Sequence, residues 1–173
     1  MKKRICLLVI LLLSLGLASC RSSAPALTAD ALKNAEYQSE LTTSRKAKLS
    51  NGSYKEQAAP GSASQIIVTL SDQIAFGDLN GDRAEDAAVV LISSGGGSGT
   101  FYYLAAVLNQ KGAPQHAASI LLGDRIKLKS VTVKSGEIVV EMTRHGPQDP
   151  LCCPTQDVTQ KYKLQGDKLV EVK

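Results

Sequence analysis

The C-terminal half of the chain alternates between apolar and polar positions, and turn signals interrupt the alternation at short intervals. A period of two places apolar side chains on one face of a β-strand. A change of parity between Leu128 and Val131 predicts a β-bulge or a turn near Ser130, and Ser135-Gly136 and Gly166-Asp167 predict tight turns. The apolar groups are Ala118, Ile120 and Leu122; Ile126 and Leu128; Ile138, Val140 and Met142; Val158, Tyr162 and Leu164; and a last strand over 168–172.

Two runs, 87–92 and 101–108, are apolar without alternation. A strand that is buried on both faces has this pattern, so we expect these two to be central strands. The segment between them, 93–100, is rich in Ser and Gly but lacks the Lys and the following helix of a phosphate-binding loop. It is therefore predicted to be a flexible connection.

The N-terminal half gives weaker signals. Residues 65–70 are β-branched and apolar and predict a strand, and Asn51-Gly52 predicts a hairpin over 47–57. Thr28 as N-cap predicts a short helix over 28–34. The whole pattern predicts a mainly β protein: a single domain over 29–173 with an antiparallel meander or sandwich-like arrangement and a short N-terminal helix.

Residues 1–19 have the features of a secretory signal peptide: Lys2, Lys3 and Arg4, then an apolar run, then small residues. Removing this segment changes the charge argument. The full chain has 20 basic and 16 acidic residues and a formal charge of +4, and three of the basic residues leave with the signal. The remainder is nearly neutral, so the composition gives no support to nucleic-acid binding.

The signal ends in Leu17-Ala18-Ser19-Cys20. This end resembles the lipobox of bacterial lipoproteins, a resemblance that implies acylation of Cys20 and cleavage before it. Residues 20–28 would then be the lipidated cysteine and a flexible tether, and the membrane would be a partner through the lipid anchor. The expected location is the cell envelope. It would be the outer membrane if the cell is Gram-negative, since Arg21 follows the cysteine where Asp would signal retention, and otherwise the outer face of the cytoplasmic membrane.

The most specific motif is Gly77-Asp-Leu-Asn-Gly-Asp-Arg-Ala-Glu-Asp86, directly before the apolar run that starts at Ala87. It places Asp78, Asn80, Asp82 and Asp86 at alternate or near-alternate positions of a tight loop. Converging carboxylates repel one another unless a cation lies between them, and a set of hard oxygen ligands suits Ca²⁺. The alternative is a solvated acidic turn built on Asn80-Gly81.

The spacing differs from an EF-hand, which has Gly at its sixth position and Glu at its twelfth, and a strand rather than a helix follows. It resembles the calcium loop of FG-GAP repeats. That resemblance implies that Asp78, Asn80, Asp82, Asp86 and the backbone carbonyl of Ala84 bind the ion. Arg83 departs from the pattern, because the family usually has Gly there. If this position needs a positive φ, Arg83 is strained and the affinity falls.

The second motif is His145-Gly-Pro-Gln-Asp-Pro-Leu-Cys-Cys-Pro-Thr155, a proline-rich loop. Cys6 lies in the signal and Cys20 in the lipobox, so Cys152 and Cys153 are the remaining thiols. In an oxidising compartment they pair with each other, as a vicinal disulfide, or with another chain. Binding of a soft metal by His145, Cys152 and Cys153 is the alternative, although adjacent cysteines suit one metal poorly.

The Cys-Cys-Pro-Thr-Gln stretch, the Asp loop and Gly-Ser-Gly-Thr-Phe-Tyr-Tyr-Leu together resemble uncharacterised bacterial lipoproteins, which implies no activity. No nucleophile elbow accompanies His116 or His145, so a hydrolase is disfavoured. The sequence predicts a non-enzymatic, membrane-anchored envelope lipoprotein. Its β domain would be stabilised by Ca²⁺ and act as a binding or structural module, with an envelope protein as a possible partner. The alternative is a metal-handling or redox lipoprotein that uses His145, Cys152 and Cys153.

Overall fold

The computed structural model describes residues 25–172, and these are mainly β with antiparallel pairing throughout. The predicted signal peptide and Cys20 lie outside the described residues. One helix and eleven strands are present in residues 25–172. They are α1 (Ala29–Lys33), β1 (Glu36–Gln38), β2 (Lys46–Lys48), β3 (Ser53–Gln57), β4 (Gln65–Gly77), β5 (Asp86–Ser94), β6 (Phe101–Gln110), β7 (Ala113–Asp124), β8 (Lys127–Lys134), β9 (Glu137–Arg144), β10 (Gln156–Gln165) and β11 (Lys168–Val172).

Strands β3 to β7 form a five-stranded sheet in chain order, and strands β8 to β11 form a four-stranded sheet, also in chain order. The expectation of two central strands is confirmed, since β5 lies between β4 and β6, and β6 lies between β5 and β7. The predicted bulge is also confirmed, because the pairing of β8 with β9 shifts register between Leu128 and Ser130.

The five-stranded sheet is covered on both faces, which explains why β5 lacks alternation. On one face, Ala88 and Val90 pack with side chains of the four-stranded sheet, among them Val140 and Tyr162. On the other face, β5 packs against residues 25–49, called the N-terminal segment below. The second cluster contains Ala87, Val89, Leu91, Leu27, Leu32, Tyr37 and Leu49.

The predicted hairpin over 47–57 is wrong beyond its turn. Asn51 and Gly52 have φ values of 51° and 84°, as a type I′ turn requires. However, β2 pairs with β1 in a separate two-stranded sheet, while β3 pairs with β4. The turn dipeptide fixes a local reversal, but the pairing of the flanking residues depends on distant strands that the local pattern does not show.

A single helical turn lies near the start of the described residues. The helix predicted over 28–34 is reduced to five residues, Ala29–Lys33, with the Thr28 hydroxyl accepting a hydrogen bond from the Ala31 N–H at 3.1 Å. Before it, Leu27 is buried and the Pro25 carbonyl accepts a hydrogen bond from the Asn109 side chain at 2.8 Å. The part of the predicted tether that the structure describes therefore packs on the domain.

Candidate metal centre

The acidic loop joins two neighbouring strands of the five-stranded sheet. It begins where β4 ends at Gly77 and finishes where β5 begins at Asp86. A Cβ atom at Gly77 would lie 2.5 Å from the side chain of Val133, so the strands can approach here only because the residue is Gly. Leu79 points into the core between the sheets and anchors the loop.

The loop brings together the three carboxylates among the five predicted ligands. One carboxylate oxygen from each of Asp78, Asp82 and Asp86 lies within 4.8 Å of the others. Their exposure differs: Asp82 is exposed, Asp78 is half-buried, and Asp86 is fully buried. Within residues 25–172, this is the only cluster of three or more His, Cys, Asp or Glu side chains with metal-binding geometry.

Backbone N–H groups and one side-chain amide hold the carboxylates of Asp78 and Asp82 in place. Asp78 accepts hydrogen bonds from the N–H groups of Gly81 at 2.7 Å and Arg83 at 2.9 Å. Asp82 accepts from the Ala84 N–H at 2.7 Å and from the Asn80 side-chain amide at 2.9 Å. Asn80 and Ala84, the other two predicted ligands, are thus tied to Asp82.

Asp86 is held from two sides. Its carboxylate accepts hydrogen bonds from the Leu79 N–H at 2.9 Å and from the Asn109 N–H at 2.8 Å. Asn109, at the end of β6, also donates its side-chain amide to the carbonyls of Pro25 and Glu85. It joins the loop to the N-terminal segment, and nothing in the sequence pattern indicated that role, because an Asn at a strand end is ordinary turn chemistry.

The surroundings of Asp86 and Asp82 shift the pKa values of these two carboxylates in opposite directions. Burial raises the pKa of Asp86 above its usual range, and the charges of Asp82 and Asp78 act in the same direction, while the hydrogen bonds from Asn109 and Leu79 oppose them. The hydrogen bond from the Asn80 side chain, followed by that from the Ala84 N–H, lowers the pKa of Asp82. The fold therefore disfavours the ionised form of Asp86 and favours that of Asp82.

Arg83 has a φ of 69°, so this position does take the positive φ under which the sequence predicts strain. A non-Gly residue there costs roughly 1–2 kcal/mol. Gly81, two residues earlier, also has a positive φ of 85°. The loop backbone is therefore left-handed at both Gly81 and Arg83. Only Gly81 adopts this conformation without strain, because it has no Cβ atom.

The donor set fits a hard divalent cation. Each carboxylate oxygen has about two acceptor sites, so an oxygen that accepts one N–H can still face an ion. Ca²⁺ takes oxygen ligands at about 2.3–2.6 Å, so two ligands on opposite sides of the ion lie up to about 5 Å apart. The 4.8 Å limit of this cluster meets that requirement. Asp78, Asp82 and Asp86 would hold the ion, and its charge would offset their mutual repulsion.

The second predicted constellation lies in the loop between β9 and β10. The sulfur atoms of Cys152 and Cys153 lie together as a vicinal pair with their Cα atoms 3.8 Å apart. Asp149 organises the loop by accepting hydrogen bonds from the N–H groups of Gly146 at 2.8 Å and Thr155 at 2.7 Å. These hydrogen bonds, the first of them from Gly146, lower the pKa of Asp149.

The cysteines are exposed, and so is Leu151 beside them, with 70% of its surface accessible. His145 differs, because neither of its ring nitrogens is exposed or has a hydrogen-bond partner in the described part of the chain. His145, Cys152 and Cys153 do not form a metal-binding cluster among residues 25–172.

No family model, no curated protein and no solved structure matches this chain. Across residues 25–172, no helix has the length and apolar character needed to cross a membrane.

Proposed function

We propose that this chain is a non-enzymatic lipoprotein of the cell envelope, anchored through Cys20, whose β domain is stabilised by Ca²⁺ bound in the loop 78–86. The two sheets would pack as a sandwich-like single domain that acts as a binding or structural module. The observation that carries the calcium part is the convergence of Asp78, Asp82 and the fully buried Asp86 within 4.8 Å. The anchor part rests on the sequence Leu17-Ala18-Ser19-Cys20.

The burial of Asp86 distinguishes this arrangement from an ordinary acidic turn. In a solvated turn, burial and like charges both disfavour the ionised form of a carboxylate. The hydrogen bonds from Asn109 and Leu79 offset this only in part, since the pKa of Asp86 is still raised. A cation bound at the same point would compensate for both effects. The loop also leads directly into β5, which is buried on both faces, so an ordered loop would support the central strand of the sheet.

Calorimetric titration tests the metal part. We expect the protein to bind one equivalent of Ca²⁺ with a dissociation constant of about 10⁻⁴–10⁻³ M, the range of exported modules. Asp82→Ala should abolish the binding without unfolding the domain, because Asp82 is exposed. Asp72→Asn, at an exposed site in the β4 irregularity, is the matched control.

Fractionation tests the anchor. Replacing Cys20 with Ser should release the protein into the soluble fraction or leave the precursor uncut, since the residue that would carry the acyl chains is gone. Cys152→Ser is the control, and it should stay membrane-bound. A Cys20→Ser protein that is processed and remains in the membrane fraction would rule out the lipid anchor.

A partner in the envelope is part of the same proposal. Crosslinking in intact envelopes followed by purification of the wild-type chain should recover the same protein repeatedly. The Cys20→Ser form, which would not reach the membrane, should not recover it.

A further inference from the structure

A cavity of about 320 Å³ lies at the other end of β5 from the acidic loop. Its floor is the face of the five-stranded sheet that carries Leu91, Ser93, Tyr103 and Ser119. Its wall is the connection between β1 and β2, residues 38–46. The volume is at the lower end of the range for small-molecule sites, which run from about 300 to 1,000 Å³.

The wall is fixed before any ligand arrives. The Ser39 N–H donates to the Arg45 carbonyl at 3.0 Å, and the Arg45 N–H donates to the Thr42 carbonyl at 3.0 Å. The Thr43 N–H donates to the Glu56 carboxylate at 2.8 Å, which ties the connection to β3. Preformed walls of this kind are typical of ligand sites, because little ordering cost remains for the ligand to offset.

Two serine residues line the cavity, Ser39 in the wall and Ser93 on the floor. Ser93 is only 2% exposed. The Ser39 hydroxyl has no hydrogen-bond partner among residues 25–172, but its oxygen is closed off from solvent, so it is not a contact point for a ligand. The polar contacts of the cavity therefore come from its charged side chains.

The cavity also carries two unpaired charges of opposite sign. Neither Glu40 nor Arg45 forms an ion pair with another residue that the structure describes. The third charged residue of the wall, Lys46, is already paired with Glu36 at 2.8 Å. Glu40 and Tyr103 line the same cavity. Burial, and after it the Glu40 charge, raises the pKa of Tyr103.

We propose that this cavity binds a small zwitterion, an amino acid or the free ends of a short peptide. Arg45 contacts the ligand carboxylate, and Glu40 contacts the ligand ammonium group. This site would give the binding part of the proposed function its ligand class. The cavity lies at the opposite end of β5 from Asp86, so calcium in the acidic loop would not contact the zwitterion.

The test is calorimetric titration of the full chain, purified in detergent, with dialanine, its N-acetyl form and its C-terminal amide. We expect saturable binding of dialanine with a dissociation constant below about 1 mM. Each blocked form should bind about fivefold more weakly or worse, the effect of losing one partly exposed charge pair.

Two charge variants test which residue contacts each end of the ligand. Arg45→Gln should abolish the preference for the free acid over the amide, and Glu40→Gln should abolish the preference for the free amine over the acetyl form. Lys168→Gln and Asp72→Asn, both at exposed sites away from the cavity, should leave both preferences intact.

Three results would overturn the proposal: no saturable heat at about ten times the expected dissociation constant, equal binding of the blocked and free forms, or unchanged preferences in both charge variants. Repeating the titration in calcium and in chelator separates this proposal from the calcium proposal. Binding that disappears only in chelator, together with a lower melting temperature, supports the cavity and the calcium loop alike. Absence of binding in both conditions contradicts the cavity alone.

Discussion

Asp86 differs from the other carboxylates of the acidic loop because it is fully buried. Its raised pKa means that the fold favours its protonated form. In the metal-free protein, the stability that it contributes is fully present below the unfolded pKa of about 3.8 and is lost as the pH rises through the raised folded value. Bound calcium would reverse this direction, since it would bind the ionised carboxylate.

The first prediction is a pH-dependent calcium effect. The increase in melting temperature on adding calcium should be small near pH 4 and should grow towards pH 7, as Asp86 ionises. Differential scanning calorimetry with and without calcium at several pH values measures this directly. An equal increase at both ends of the range would mean that Asp86 is not a ligand.

The second prediction concerns Arg83, whose φ of 69° is unfavourable for a residue with a Cβ. Arg83→Gly should raise the free energy of unfolding by about 0.5–1 kcal/mol, the relief of a left-handed residue less the added entropy of Gly in the unfolded chain. It should also tighten calcium binding. Arg83→Ala is the control, since it removes the positive charge but keeps the Cβ. If both variants gain equally, charge rather than backbone strain is responsible.

At the scale of elements, the sequence was informative wherever local pattern and tertiary pairing agree. The run 87–92 lacks alternation because both faces of β5 are buried, and the final strand over 168–172 follows from its turn and periodicity. Strand β4 extends to Gly77, beyond the predicted 65–70, because the polar residues Ser71 to Gln73 sit at an irregularity rather than at an end. The hairpin over 47–57 failed since its flanking residues join different sheets.

The third prediction concerns the loop between β9 and β10. Under the proposed export to an oxidising compartment, Cys152 and Cys153 should be oxidised to each other, because the two residues are adjacent and Asp149 already orders the loop around them. Mass spectrometry of non-reduced peptides should show a loss of two hydrogens within the single peptide that contains both cysteines. Alkylation of two free thiols without prior reduction would contradict this.

At the scale of the whole molecule, the sequence located the acidic loop but not its support. The spacing of Asp78, Asp82 and Asp86 was sufficient to predict that the three carboxylates converge. The contribution of Asn109 was invisible, since it arises from the pairing of β5 with β6 and from the return of the N-terminal segment to Pro25. The cavity beside Ser39 was also missed, because its floor and wall come from separate sheets.

The central claim, that calcium in the loop 78–86 stabilises the fold, is tested most directly by thermal unfolding in calcium and in chelator. At a calcium concentration of a hundred times the dissociation constant, the gain is about 2.7 kcal/mol, which corresponds to roughly 5–10 °C in a domain of this size. We expect the wild type to show this increase, Asp82→Ala to show almost none, and Mg²⁺ to substitute poorly because it resists dehydration. Identical wild-type melting curves at that calcium concentration and in excess chelator would contradict the claim and leave the loop as an acidic turn.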